Sequence, residues 1–133
     1  MAQSNGKASG KDGYFEGVLN ALADPVLVID RKGKITYVNL STEQFFDAGE
    51  SWLCERRLQD IIPGDSPVFG MIEQVRQQGA SVSEYGVNLD TPRTGPRLVT
   101  IQVAPIAEGT GIASGTVIVS IHDRSIASKM TRQ

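Results

Sequence analysis

The chain has 133 residues, enough for one domain around a single core and too few for two. Apolar residues make up 40% and charged residues 21%, the balance of an ordinary globular protein. Thirteen basic against fifteen acidic residues give a net charge of −2 and no overall electrostatic footprint for nucleic acid or an anionic membrane, leaving open a local basic patch, for which Arg56-Arg57 is the only adjacent arginine pair.

Cys54 is the one cysteine, so an internal disulfide and a cysteine-rich zinc site are excluded and a reducing compartment is expected. No apolar run approaches the roughly 20 residues a membrane helix needs. Residues 1–13 are polar and rich in Gly, Ser and Lys, without a signal-peptide core, and read as a disordered leader.

From Tyr14 the pattern turns helical. Phe15, Val18, Leu19 and Leu22 fall at i, i+3, i+4 and i+7, one apolar stripe. Asp24-Pro25 ends that helix, because the residue before proline avoids the α region. Val26 to Asp30 and Lys34 to Asn39 read as two strands joined at Arg31-Lys32-Gly33, a β-hairpin. Ser41-Thr42-Glu43-Gln44 matches a capping box with Ser41 as N-cap, opening a short helix with Phe45 and Phe46. Leu53, Leu58, Ile61 and Ile62 are core candidates in short helical turns, and Pro63-Gly64 breaks the segment. A longer helix follows, with Ser66 as N-cap, Pro67 at N1, a stripe of Val68, Met71, Ile72 and Val75, and Gly79 as terminator. Three alternating segments close the domain: Ser83 to Asp90 with Tyr85, Val87 and Leu89; Arg97 to Pro105 with Val99, Ile101 and Val103; Gly115 to His122 with Val117, Val119 and Ile121. Alternation predicts half-buried antiparallel strands. From Ser125 the pattern is helical again, with Ile126 and Met130 four apart. Strands at both ends with helices between them predict an α+β fold with one sheet.

This order resembles a PAS domain over residues 14 to 125. Ala23-Asp24-Pro25-Val26-Leu27-Val28-Ile29-Asp30 followed by Gly33-Lys34-Ile35-Thr36-Tyr37-Val38-Asn39 looks like the family's opening hairpin, with Asn39 at its frequent strand-ending asparagine. Arg57-Leu58-Gln59-Asp60-Ile61-Ile62-Pro63, Gly79-Ala80-Ser81-Val82-Ser83-Glu84-Tyr85, Val103-Ala104-Pro105 and the segment from Arg124 to Gln133 resemble the N-terminal domain of NtrB-type nitrogen-regulation sensor histidine kinases. The resemblance implies a five-stranded antiparallel sheet in the order 2-1-5-4-3 with helices on one face. It also implies flanking helices at both ends, a PAS unit over 14–123, and the start of an output helix at 124–133. The same resemblance implies a cytoplasmic homodimer. Its kinase domains, in the same chain, phosphorylate an NtrC-type response regulator under control of the PII protein.

The chemistry of a kinase is not in this stretch. His122, the lone histidine, lacks a phosphoacceptor context, and there is no Gly-rich phosphate loop. No catalytic, cofactor or metal residue is therefore assigned. His122 reads as a strand-end histidine, and Ser125 has no base for a triad. Haem-binding relatives use a histidine on the long helix, and 67–78 holds none. The photoactive-flavin string Asn-Cys-Arg-Phe-Leu-Gln is broken at Cys54-Glu55-Arg56-Arg57-Leu58-Gln59. Three sets of functional candidates remain. Phe15, Val18, Leu19 and Leu22 are assigned to a dimer interface. Asp123 and Ser125 occupy the place of the Asp-Ile-Thr-like signal junction of PAS relatives, where their oxygens would cap the output helix. Phe45, Phe46, Trp52, Phe69 and Tyr85 are candidates to line a pocket between helices and sheet, or else simply fill the core. The two resulting readings are a dimerisation and relay module and a small-molecule sensor.

Overall fold

The computed structural model describes residues 5–91, 95–109 and 112–123, with side chains from Gly13 onward. Helix α1 spans Asn5–Ala21, strands β1 and β2 span Val26–Ile29 and Ile35–Val38, and the short helices α2 and α3 span Leu40–Phe46 and Glu50–Leu53. A 3₁₀ turn at Leu58–Asp60 leads to α4 at Pro67–Gln78, followed by β3 at Val82–Thr91, β4 at Gly95–Pro105 and β5 at Val117–Asp123. The five strands form one antiparallel sheet in the order β2-β1-β5-β4-β3.

The core lies between one sheet face and the helices from α2 to α4. Alternate residues of the three long strands supply the floor: Val87 and Leu89, Val99, Ile101 and Val103, and Val117, Val119 and Ile121 are all buried. Val68, Met71, Ile72 and Val75 of α4 close over them as one stripe. The ends of α4 follow the sequence signals. Ser66 Oγ accepts from Val68 N at 3.3 Å, and Gly79 ends the helix at φ 71°.

Three local features depart from the sequence reading. The helical backbone of α1 reaches back to Asn5, whereas the sequence places a leader up to residue 13 and a start at Tyr14. Once a first turn has formed, each added residue gains one hydrogen bond, so a helix propagates into weak formers. The N-cap of α2 is Asn39, not Ser41: Asn39 Oδ1 accepts from Thr42 N at 3.1 Å, while Ser41 Oγ donates to Leu22 O. The alternation in β3 breaks between Glu84 and Val87, where a β-bulge adds a residue and Gly86 takes φ 67°. The bulge reverses the parity ahead of Val87, so Tyr85 leaves the core and stands 73% exposed.

Candidate functional site

A cluster of buried polar contacts gathers at the end of β2. Asn39 is buried, and its Oδ1 accepts from Val26 N at 3.0 Å, Thr42 N at 3.1 Å and Thr42 Oγ1 at 2.7 Å. Its Nδ2 donates to Leu19 O at 2.8 Å and Asp24 O at 3.0 Å. One side chain thus joins the last turn of α1, the link into β1, and the start of α2. Buried Thr42 reinforces it, with Oγ1 accepting from Val26 N at 2.9 Å. Two further contacts fix the end of α1: Leu40 N donates to Asn20 Oδ1 at 3.0 Å, and the rings of Phe15 and Tyr37 meet edge to face at 5.5 Å. The sequence marked Asn39 as a family signature; that it is the anchor of α1 needed the geometry.

Of the four stripe residues assigned to a dimer interface, Leu19 is buried in the subunit. Phe15, Val18 and Leu22 are between 41% and 45% exposed, with Tyr14 and Leu40 more so. Leu22 lies one residue past the helix end, with its N–H donating to Leu19 O. The stripe therefore divides: one residue anchors α1, and its neighbours leave apolar surface open beside Leu40.

Asp123 closes β5. Its Oδ2 accepts from Arg97 Nη1 of β4 at 2.7 Å, and the Arg97 guanidinium stands 5.3 Å from the ring of Phe45 in α2. Asp123 is thereby tied to both sheet and helical layer, a link that residue types alone did not reveal. Ser125, Ile126 and Met130 lie outside the described residues, as does the helix start that Asp123 was expected to cap. Next to it, His122 Nδ1 lies 3.2 Å from Asp24 Oδ1, and both side chains are about half exposed.

The five aromatics proposed for a pocket go to different places. Phe45 and Phe46 pack edge to face at 5.0 Å inside the core. Phe69 packs against the core edge and lines a cleft beside α4. Trp52 sits at the surface with the Arg56 guanidinium 3.8 Å above its ring, and Tyr85 is exposed on β3. Cys54 is half-buried, and burial, aided by the nearby Glu50 carboxylate, pushes its thiol pKa up. Among the described residues no cluster of three or more His, Cys, Asp or Glu side chains stands where it could hold a metal ion. No described helix is long and apolar enough to cross a membrane.

Residues 13–124 match the family profile described as the PAS fold. The sensory histidine kinase/phosphatase NtrB of Azospirillum brasilense is 40% identical over 113 residues, which cover 85% of this chain and 27% of that protein. NtrB of Rhizobium meliloti (strain 1021) is 38% identical over 117 residues, covering 87% of this chain and 30% of that protein. The chain thus spans less than a third of the length of these curated relatives. Among solved structures, the PAS domain of nitrogen regulation protein NR(II) from Vibrio parahaemolyticus superposes with a TM-score of 0.71 at 21% identity. That match covers 81% of this chain and 95% of the other. A Rhodobacter sphaeroides LOV protein superposes at 0.65 with 9% identity, covering 85% and 67%. At such identities the superpositions speak for the fold.

Proposed function

The chain belongs to the PAS family, and from that premise we propose that it is the sensory, dimerisation and signal-relay module of an NtrB-type nitrogen-regulation histidine kinase. In this reading the parent protein is a cytoplasmic homodimer that phosphorylates an NtrC-type response regulator under control of PII. The phosphoacceptor and ATP-binding parts lie in the remainder of that protein. The identity of about 40% to NtrB proteins supports the kinase context.

The observation that carries the relay role is the divided stripe of α1. Leu19 and Asn39 fix the helix to the sheet, while Phe15, Val18 and Leu22 stay exposed for a second subunit. A paired helix held this way passes a change in subunit packing directly into β1 and β2. Val18→Asp tests the assignment. Val18 is half exposed in the subunit, so the variant should fold as wild type does, while burying the charge in an apolar interface costs several kcal/mol. Light scattering should show a wild-type dimer and a folded monomeric variant. A wild-type chain that is monomeric at high micromolar concentration refutes the dimer role, and an unfolded variant assigns Val18 to the subunit core.

A further inference from the structure

Arg31 and Arg76 meet at Gly115. Arg31 lies in the turn between β1 and β2, and its stem packs so near Gly115 that an added Cβ there would stand 3.1 Å from Arg31 Cγ. Arg76, half-buried on α4, donates from Nε to Gly115 O at 3.0 Å and from Nη2 to Asp30 O at 2.8 Å. Its Nη1 has no hydrogen-bond partner among the described residues.

Both arginines line one cleft, and neither makes an ion pair among the described residues. The ion pairs among the described residues are Arg56 with Glu55, Arg97 with Asp123 and His122 with Asp24, so Arg31, Lys32 and Arg76 have none. Asp30 turns its Oδ1 into the hairpin, accepting from Lys32 N and Lys34 N. Glu73 is the one carboxylate on the cleft, and its Oε2 lies 3.5 Å from Gln77 Nε2. Three cations, Arg31, Lys32 and Arg76, thus share the lining with that one carboxylate. In a chain of net charge −2 this is a local reversal of sign. Like charges crowded around a concavity focus positive potential into it.

The concavity is a cleft of about 240 Å³ between the hairpin turn and α4. Arg31, Lys32 and Arg76 stand on it, and Phe69 and Ile72 give it an apolar wall. Its volume falls below the ~300 Å³ lower end of ordinary small-molecule pockets, so its ligand is small. An arginine fork matches a carboxylate in shape and charge. We propose that this cleft binds a small organic carboxylate, with its anionic end between Arg31 and Arg76 and its apolar body on Phe69 and Ile72. The proposal goes beyond the dimer and relay reading and stands without it.

The test is a titration of the ¹⁵N-labelled chain followed by amide NMR, at fixed ionic strength, with butanoate, glutarate, butanamide and inorganic phosphate. Butanoate or glutarate should shift the amides of Lys32, Gly33 and Gly115 saturably, with a Kd of about 1 mM or tighter. Butanamide, the same body without the charge, should not. Arg31→Gln and Lys32→Gln change exposed side chains and should leave the remaining spectrum in place. Arg31→Gln should weaken carboxylate binding about tenfold, as loss of a charge-assisted contact does. The proposal is overturned if neither carboxylate gives saturable shifts at these amides up to about 20 mM. Equal binding of butanamide, binding of phosphate but not of the carboxylates, or unchanged affinity in both variants overturns it as well.

Discussion

Replacing Asn39 is the most informative perturbation of this fold. Its side chain makes five short polar contacts while buried. They are not independent. The single Thr42 hydroxyl proton is shared between Asn39 Oδ1 and Val26 O, and Val26 N retains Thr42 Oγ1 when Asn39 is truncated. About three contacts are lost outright, those to Thr42 N, Leu19 O and Asp24 O. At about 1 kcal/mol each, with the desolvation of stranded carbonyls added, Asn39→Ala should cost roughly 3–4 kcal/mol. That is a large share of the ~5–15 kcal/mol that stabilises a typical domain. Asn39→Asp separates the two halves of the site. It keeps the acceptor oxygen but directs an anion at Leu19 O and Asp24 O, which now receive N–H donors at 2.8 and 3.0 Å. The donors from Val26 N, Thr42 N and Thr42 Oγ1 to Oδ1 are kept while the contacts to Leu19 O and Asp24 O turn repulsive, so Asn39→Asp should still destabilise the fold at neutral pH. Urea unfolding followed by Trp52 fluorescence and circular dichroism at neutral pH measures both variants. A cost under about 1 kcal/mol for Asn39→Ala, or an undiminished stability in Asn39→Asp, would refute the anchoring role.

Three further outcomes are expected. In the proposed full-length kinase, Asp123→Ala and Arg97→Ala should each shift the balance of kinase and phosphatase output. The pair's charged hydrogen bond is worth about 1.5–2 kcal/mol, roughly ten- to thirtyfold in a two-state junction. The double variant should match the singles, so additive effects would dissociate the pair. Cys54 should react more slowly with a disulfide reagent in the folded than in the urea-unfolded chain. Its rate should keep rising at pH values beyond the ~8.5 where a free thiol levels off, and a plateau at or below that pH would contradict the burial effect. Gly86→Val should lower stability by about 1–2 kcal/mol without unfolding the chain, because an L side chain at positive φ is strained. An unaffected urea midpoint would remove the bulge glycine from the account of β3.

The sheet and the long helix were readable because their signals are local and redundant. Val99, Ile101 and Val103 repeat every second residue, and Ser66, Pro67 and Gly79 mark the ends of α4 in three separate ways. Tyr85 was misread for one physical reason: a bulge shifts parity by one residue, and alternation carries no trace of it beyond a glycine. Ser41 and Asn39 are both good N-caps by type, and the choice between them depended on the α1 carbonyl, distant in sequence, that Asn39 also reaches. The apolar stripe of α1 was legible as a stripe but not in its division, since only packing shows that Leu19 turns inward while Val18 does not. Asp123 was found by its place in a motif. Its partner Arg97 is 26 residues away on a neighbouring strand, beyond any local pattern.

The position of the two domain ends determines how a relay of this kind would work. Ile121 N donates to Pro25 O at 3.0 Å, and His122 Nδ1 lies 3.2 Å from Asp24 Oδ1. The last turn of the last strand is therefore attached to the dipeptide that leaves α1. Asp24 O is in turn held by Asn39, and Asp123 is held by Arg97 one residue beyond His122. The connection from α1 to the end of β5 thus runs across a few hydrogen bonds at one end of the sheet and bypasses the packed core. Allosteric couplings are typically worth about 1–3 kcal/mol, the scale of one or two such bonds. Moving the core itself would break packing worth about 1.5–3 kcal/mol for every large side chain displaced. In the proposed relay, a shift of α1 against a second subunit would alter the geometry at Asp123 while leaving the sheet and α4 intact. Such a relay would depend on these end contacts, and substitutions deep in the core should change stability far more than they change the sign or size of the output.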